Sequence, residues 1–178
     1  MLSDVERNSA IKRSLCLQVD VLLSRDLDSR FSFREVAAVH EWLQTSPGKS
    51  IHAMRDNPAH NIGLLGASWG TDLTKDNARG RWQKSWRKMF DDELTYADRS
   101  HKGPDQLLLR TYVWNPWGMK SSVQHDSYTC DQYPGSIGFP TQRLMEPNNY
   151  VASVWNDAEM IAKKCPPRCR RYPSWLYC

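Results

Sequence analysis

Residues 17–30 have the sequence LQVDVLLSRDLDSR, in which an apolar run ends in two aspartates separated by one residue. The run predicts a buried strand over residues 17–24, and Asp26 and Asp28 follow its end. In extended chain, residues two apart point the same way and lie about 6–7 Å apart. Two carboxylates so placed can share one hard divalent cation, which takes oxygen ligands. The alternative is a polar turn that simply ends the strand.

A capping-box pattern follows the two aspartates, with Ser32 at the N-cap and Glu35 three residues later. It predicts a helix that ends at residues 45–48, where serine, proline and glycine occur. The predicted apolar face of this helix consists of Val36, Val39, Trp42 and Leu43.

A second strand is predicted over residues 51–54, and a charged cluster follows it at residues 55–60. A strand, a helix and a second strand are typical of a parallel crossover unit in an α/β protein. Ligands of such sheets bind at the carboxyl ends of the strands. Both charged clusters are therefore expected at one edge of the sheet.

The next segment, residues 61–70, contains three glycines. Their spacing is not that of a phosphate-binding loop, and no Lys-Ser or Lys-Thr pair follows. Two interpretations stay open: a close-packed loop that carries backbone past a ligand or a neighbouring strand, and an ordinary glycine-rich connection.

Residues 79–90 predict an amphipathic helix that carries five basic residues. Its apolar side consists of Trp82, Trp86, Met89 and Phe90. The favoured interpretation is a helix that packs on the core and exposes a solvated basic face. The alternative is a helix that meets RNA or a membrane surface.

Two later segments carry further polar candidates. A helix is predicted from Asp105 onward, with Pro104 suited to its first position. Residues 123–127 predict a strand end that presents His125. A single histidine of this kind is more often structural than a metal ligand.

Length and composition indicate one folded domain. The chain has 178 residues and a net charge of +4, which suits an anionic small ligand as well as a nucleic acid. We expect an irregular segment over residues 1–16 and the domain over residues 17–178. No apolar run has the length of a membrane span, and residues 1–7 are too polar for a signal peptide.

Four of the five cysteines lie in the last third of the chain: Cys130, Cys165, Cys169 and Cys178. Four cysteines allow three pairings, and the sequence does not choose among them. Disulfides that staple an irregular C-terminal tail are favoured over a zinc site, because the sequence has no C-x-x-C pair or nearby second pair and no histidine in the tail. Cys16 is expected to be a buried free thiol.

Seven short motifs, taken in order, are similar to those of a group of GT-A type glycosyltransferase-like proteins of invertebrates and microbes. The motifs are R-D-x-D-S-R, A-V-x-E-W-L, M-R-D-x-P-x-H, L-G-x-x-W-G, D-Q-x-x-L, H-D-S-Y-x-C and F-P-T-x-R. They stand here at Arg25–Arg30, Ala38–Leu43, Met54–His60, Leu65–Gly70, Asp105–Leu109, His125–Cys130 and Phe139–Arg143. The resemblance covers most of residues 17–178 and implies part of a GT-A-like, Rossmann-like mixed sheet with flanking helices.

By this resemblance, Asp26 and Asp28 hold Mn²⁺ or Mg²⁺, which bridges the two phosphates of a nucleotide-sugar donor. The metal acts as a Lewis acid while the nucleoside diphosphate leaves. His125 matches a late histidine that completes such a metal shell.

The same resemblance assigns a catalytic role to Asp105 and Gln106, which position the sugar near the reacting carbon. Arg25, Arg55 and Asp56 are expected to contact phosphate or sugar. The implied partners are a nucleotide-sugar donor and a glycan or other hydroxyl acceptor, with no nucleic acid. The cysteine usage favours the secretory pathway or Golgi lumen.

One departure from the GT-A pattern concerns the region before Asp26, which has only 25 residues. A GT-A enzyme places about half a sheet there and binds the nucleotide base with it. A fragment of an enzyme, or a non-catalytic remnant that acts as a binding module, is therefore an alternative. A small basic RNA-binding domain, resting on residues 79–90, is the third.

Overall fold

The computed structural model describes residues 18–91, 103–147, 149–154 and 161–178. In these ranges the chain forms a mixed α/β fold around a four-stranded sheet. The strands are β1 (Val21–Arg25), β2 (Ile51–Arg55), β3 (Ser68–Asp72) and β4 (Ser122–Asp126). Their order across the sheet is β1-β3-β2-β4. The expected irregular segment 1–16, with Cys16, lies outside the described residues.

The sheet is mixed because β3 runs against its neighbours. β3 pairs antiparallel with both β1 and β2, whereas β2 and β4 pair in parallel. Strands β1 and β2 therefore point the same way, as the crossover pattern predicts, but they are not adjacent. The glycine-rich segment was incompletely predicted, since its last residues form the strand inserted between them.

The insertion of β3 depends on a glycine in the strand. A Cβ atom on Gly70 would lie 2.7 Å from a methyl carbon of Leu23 and 3.1 Å from the ring of Trp42. Every residue of β3 is buried. The missing side chain therefore lets a buried strand lie beside β1 and against helix α1 without a clash.

Helix α1 spans Phe33–Thr45 and begins as predicted, because the Ser32 hydroxyl accepts a hydrogen bond from the Glu35 amide at 3.2 Å. The predicted apolar face is only partly right: Trp42 is buried, but Val36 is 55 % exposed. The buried face consists of Arg34, Glu35, Ala38 and Trp42. Ion pairs, described below, allow the two charged residues to be buried.

Three helical segments cover the other side of the core. They are α2 (Ala78–Asp91), α3 (Pro104–Leu109) and a π-helix (Arg110–Gly118) that continues α3. Trp82 of α2 stacks on Trp69 of β3 with ring centroids 5.0 Å apart. Its indole N–H donates to the Thr71 hydroxyl at 2.9 Å.

The packing of α2 confirms the core-facing interpretation of residues 79–90. Trp82 and Met89 are buried, and Trp86 is half-buried against the same core. Phe90 was misassigned to that side, since it is 56 % exposed.

Two disulfides hold the C-terminal tail, as the cysteine pattern predicts. The pairs are Cys130–Cys169 and Cys165–Cys178. All four sulfurs are buried in one small cluster. The first bond ties the tail to the segment after β4, and the second closes a loop within the tail.

Within the described ranges, no helix combines the length and the apolar character needed to cross a membrane.

Candidate functional site

A small cleft of about 180 Å³ brings together residues from distant parts of the chain. Its polar lining comes from the end of β1, the segment after β2, the start of β3 and the first turn of α3. The lining residues are Asp26, His60, Leu65, Gly66, Ala67, Ser68, Asp105, Gln106 and Ala152. Three of the predicted site residues, Asp26, Asp105 and Gln106, therefore meet in one place.

Asp26 lies in a tight turn rather than in extended chain. The Ser29 amide donates to the Asp26 carbonyl at 3.3 Å, so the chain reverses at Leu27-Asp28. The premise that the two aspartates point the same way along a strand is thus wrong. Asp28 is exposed and is not among the residues that line the cleft.

The Arg25 guanidinium stabilises this turn. It donates to the Ser29 hydroxyl at 3.0 Å and to the Arg30 carbonyl at 2.6 Å, and it forms an ion pair with Glu35 of α1. Its face lies over the Phe31 ring, 4.3 Å from the centroid. Arg25 was predicted to bind substrate, but its contacts are those of a residue that shapes the Asp26 loop.

Negative charge accumulates around Asp26. Its pKa is raised above the ordinary value, first by partial burial and then by the charges of Asp28 and Asp105. Like charges repel and favour the protonated form. Any divalent cation that bound here would relieve this repulsion, and the carboxylate oxygens are ligands that Mn²⁺ and Mg²⁺ accept.

Asp105 reaches the cleft because the backbone opposite it carries no side chain. A Cβ atom on Gly66 would lie 2.9 Å from Asp105 Oδ2. The Ser24 hydroxyl donates to the Gly66 carbonyl at 2.7 Å and holds this loop against the end of β1. The glycine-rich segment thus has two uses: residues 65–68 border the cleft, and the segment from Ser68 onward forms part of strand β3.

His60 is a cleft residue that the sequence-based assignment of roles missed. Asn57 sets a turn in which its carbonyl accepts from the His60 amide at 2.8 Å and its side chain accepts from Ala59. The ring packs edge-on to Tyr150, and Nδ1 has no hydrogen-bond partner among the described residues. Burial lowers the pKa of His60, so the ring is neutral near pH 7. The signal was available, because His60 ends the M-R-D-x-P-x-H motif.

His125 lies outside the cleft lining and is fully buried beneath helix α1. Its Nδ1 is 2.8 Å from His52 Nε2, and its Nε2 is 3.4 Å from the Glu41 carboxylate. Its ring also packs on Phe139. These contacts give His125 a packing role, and none of them is to Asp26 or Asp28.

Arg55 is buried and surrounded by acceptors. It donates to the Asp126 carboxylate at 2.7 Å, to Gln124 Oε1 at 2.7 Å and to the Gly63 carbonyl at 2.8 Å. Its face also lies over the ring of Tyr133 at 4.0 Å. Arg55 was expected to contact substrate, but these protein contacts occupy its guanidinium and tie β2 to β4.

Asp56 is the centre of a second buried network. Arg34 of α1 donates to its carboxylate at 2.8 and 3.0 Å, Arg143 donates at 2.5 Å and the Ser127 hydroxyl at 2.5 Å. The Val151 amide adds a fourth donor at 3.0 Å. The pKa of Asp56 is lowered because the neighbouring guanidinium charges outweigh the opposing effect of burial.

The Arg55 and Asp56 networks connect three of the seven motifs to one another. The M-R-D, H-D-S and F-P-T-x-R segments meet through Arg55 with Asp126 and through Asp56 with Ser127 and Arg143. Residues expected to contact phosphate or sugar therefore join the sheet to helix α1 and to the tail.

Asp126, Cys130 and Cys169 form a compact buried group whose ligand atoms lie within 4.8 Å of one another. The two sulfurs are bonded to each other in a disulfide, so no thiolate is present to bind a metal. The Asp126 carboxylate instead accepts from the Tyr128 and Thr129 amides at 2.9 and 2.7 Å. This group is structural.

Comparisons of the chain with family models, with curated proteins and with solved structures gave no match.

Proposed function

We propose that this chain is a metal-dependent glycosyltransferase-like protein whose cleft binds the diphosphate and sugar of a nucleotide-sugar donor. The observation that carries the proposal is the meeting of Asp26 and Asp105 at one cleft. The reaction class, transfer of a sugar, is inferred from the order of motifs in the sequence. The acceptor is a glycan or another hydroxyl compound.

The oxygen ligands that the cleft offers fit a hard divalent cation. Asp26 and Asp105 supply carboxylate oxygens, and the Gln106 side chain supplies an amide oxygen on the same lining. When bound, Mn²⁺ or Mg²⁺ neutralises the diphosphate that leaves the sugar. The raised pKa of Asp26 is consistent with a site arranged to receive positive charge.

The cleft side chains have distinct parts in this proposal. The Gln106 amide both donates and accepts, so it suits the hydroxyl groups of a sugar and orients them. The acceptor hydroxyl oxygen bonds to the anomeric carbon, the bond from that carbon to the diphosphate breaks, and the hydroxyl proton must go to a base. His60 is the base we assign, because its ring is neutral and the residue lines the cleft.

The size of the cleft determines how much of the donor it holds. About 180 Å³ is below the range of roughly 300–1,000 Å³ that is typical of sites for whole small ligands. The diphosphate and sugar are therefore assigned to the cleft, and the nucleoside to a surface outside it. The two disulfides are compatible with an oxidising compartment, and we propose the secretory pathway.

A non-catalytic binding module is the second candidate. The small cleft favours it, as does the position of His125 away from Asp26, which leaves the metal with fewer protein ligands than the resemblance implies. Such a module binds the metal and the diphosphate but transfers no sugar.

The experiment is a transfer and hydrolysis assay with a panel of UDP- and GDP-sugars, with Mn²⁺ and with EDTA. Asp26→Asn and Asp105→Asn test the cleft, and Asp131→Asn is the control, because Asp131 is exposed and lies outside the lining. Turnover that needs Mn²⁺ and is lost only in the two cleft variants supports the enzyme. Donor binding without turnover supports the module, and the absence of both metal and donor binding overturns both.

A further inference from the structure

We infer that a groove between helix α2 and the π-helix binds an organic anion that carries at least two phosphate or sulfate groups. The groove has a volume of about 330 Å³ and lies outside the cleft described above. It is lined by Arg81, Lys84, Ser85, Lys88, Thr111, Tyr112, Pro116 and Trp117. None of these residues has a role in the proposed transfer reaction.

One wall of the groove is a row of cations on α2. Arg81, Lys84 and Lys88 are three and four residues apart, so they project from one face of the helix. Lys84 and Lys88 are separated by about 6 Å along the axis. Both lysines are exposed, and none of the described residues that line the groove carries a carboxylate.

Arg81 differs from the two lysines because its charge is already matched. Its guanidinium donates to the two Asp76 oxygens at 2.9 and 3.1 Å and to the Ser121 hydroxyl at 2.9 Å. It closes one end of the groove as a fixed group. Lys84 and Lys88 have no ion-pair partner among the residues that the structure describes, and their separation suits two anionic groups of one ligand.

The opposite wall comes from the π-helix, a rare geometry that is frequent at functional sites. Trp117 Nε1 donates to the Ser85 hydroxyl at 3.1 Å, and that hydroxyl donates to the Tyr112 carbonyl at 2.6 Å. The Trp117 ring also packs edge-on to the buried Trp82 at 5.7 Å. The aromatic wall is thus fixed in place before any ligand binds, and it offers an apolar surface for a sugar or an aromatic ring.

The dimensions favour a compact ligand over a nucleic acid. The volume is at the lower end of the range for small-ligand sites, which is about 300–1,000 Å³. A single-stranded nucleic acid needs a basic track that follows several nucleotides. The groove instead places two lysines, which have no carboxylate partner within the described ranges, beside one aromatic wall, and this matches a ligand with two charged ester groups on a ring.

The test is isothermal titration of the full chain in EDTA, so that no metal site contributes. The probes are inorganic pyrophosphate, a disulfated disaccharide and a single-stranded RNA oligonucleotide. Lys84→Met and Lys88→Met remove the groove cations. Arg87→Met is the matched control, because Arg87 is exposed on the same helix but does not line the groove.

We expect pyrophosphate or the disulfated disaccharide to bind, and each lysine variant to weaken binding about tenfold, because each removes a charge-assisted contact. Arg87→Met should change the affinity less than twofold. Preference for pyrophosphate identifies phosphate esters as the ligand class, and preference for the disaccharide identifies sulfate esters. Equal losses in all three variants, no binding of either small probe, or RNA binding that depends on Arg87 as much as on the lysines would overturn the inference.

Discussion

Asp26 and Asp105 line the same cleft, although Asp26 follows strand β1 and Asp105 lies in the first turn of helix α3. The pKa of Asp26 is raised above its ordinary value, first by partial burial and then by the nearby charges of Asp28 and Asp105. A cation that binds between such groups replaces repulsion with attraction. The metal-dependent function that we propose depends on this pair.

Gly66→Ala tests the space that Asp105 needs. The new methyl group would lie 2.9 Å from Asp105 Oδ2, so the carboxylate must move away from the cleft. We expect Mn²⁺ affinity to fall about tenfold, because a displaced ligand loses one charge-assisted contact. Thermal denaturation should change little, since Gly66 lies in a loop and its backbone is not in the left-handed region. Unchanged Mn²⁺ affinity would show that Asp105 is not a ligand.

Asp56→Asn tests the buried network. The substitution leaves Arg34 and Arg143 buried beside a neutral amide, and we expect the free energy of unfolding to fall by about 3–5 kcal/mol. The control is Asp20→Asn, because Asp20 is 75 % exposed and its ion pair with Arg79 is long, at 3.8 Å. That change should cost less than about 1 kcal/mol. Equal losses in urea denaturation of the two variants would contradict the structural role of Asp56.

The histidines predict a loss of stability on acidification. Burial lowers the pKa values of His52, His60 and His125 below the ordinary value of 6.5. Below pH 6.5 these histidines bind protons in the unfolded chain but stay neutral in the folded chain. The free energy of unfolding therefore decreases as the pH falls. Each histidine contributes up to about 1.4 kcal/mol per pH unit in this window.

Denaturant titrations from pH 7.5 to pH 5.0 measure this slope. His60→Asn should reduce this slope, because it removes one histidine whose pKa is lowered by folding. A second loss is expected between pH 4.5 and about 2, as Glu41 is protonated, because its hydrogen bond to His125 lowers its pKa to about 2. Stability that stayed constant between pH 7 and pH 5 would contradict the burial of these rings.

The disulfides should contribute unequally to stability. Cys130–Cys169 joins residues 39 apart in the chain, and Cys165–Cys178 joins residues 13 apart. Because a longer loop restricts the unfolded chain more, loop entropy gives about 4 kcal/mol for the first and about 3 kcal/mol for the second. Paired cysteine-to-alanine variants in urea denaturation measure both. A larger loss from the Cys165–Cys178 pair would contradict the order expected from loop length.

Local sequence signals predicted the start of α1, the directions of β1 and β2 and the core-facing role of Trp82. Each depends on a few neighbouring residues: a capping serine, two apolar runs and a helical period. The position of β3 was not predictable in this way, because it depends on Gly70 meeting Leu23 and Trp42 from other elements.

The roles of charged residues were harder to predict than their positions. Arg55 and Asp56 have the residue types of a phosphate or sugar site, yet both are buried with protein partners. Spacing cannot distinguish the two uses, because burial is set by long-range partners such as Asp126 and Arg143. Asp105 and Gln106 line the cleft with Asp26. His60 also lines it, because a turn within the M-R-D-x-P-x-H motif places it there.

Titration of Mn²⁺ into the chain, followed by calorimetry and by electron paramagnetic resonance, tests the central claim most directly. Asp26→Asn and Asp105→Asn are compared with the parent and with Asp131→Asn, while circular dichroism checks that each variant is folded. We predict one Mn²⁺ site in the parent and in Asp131→Asn, weakened at least about tenfold in each cleft variant. No Mn²⁺ binding by the parent, or binding that both cleft variants keep, would contradict the account.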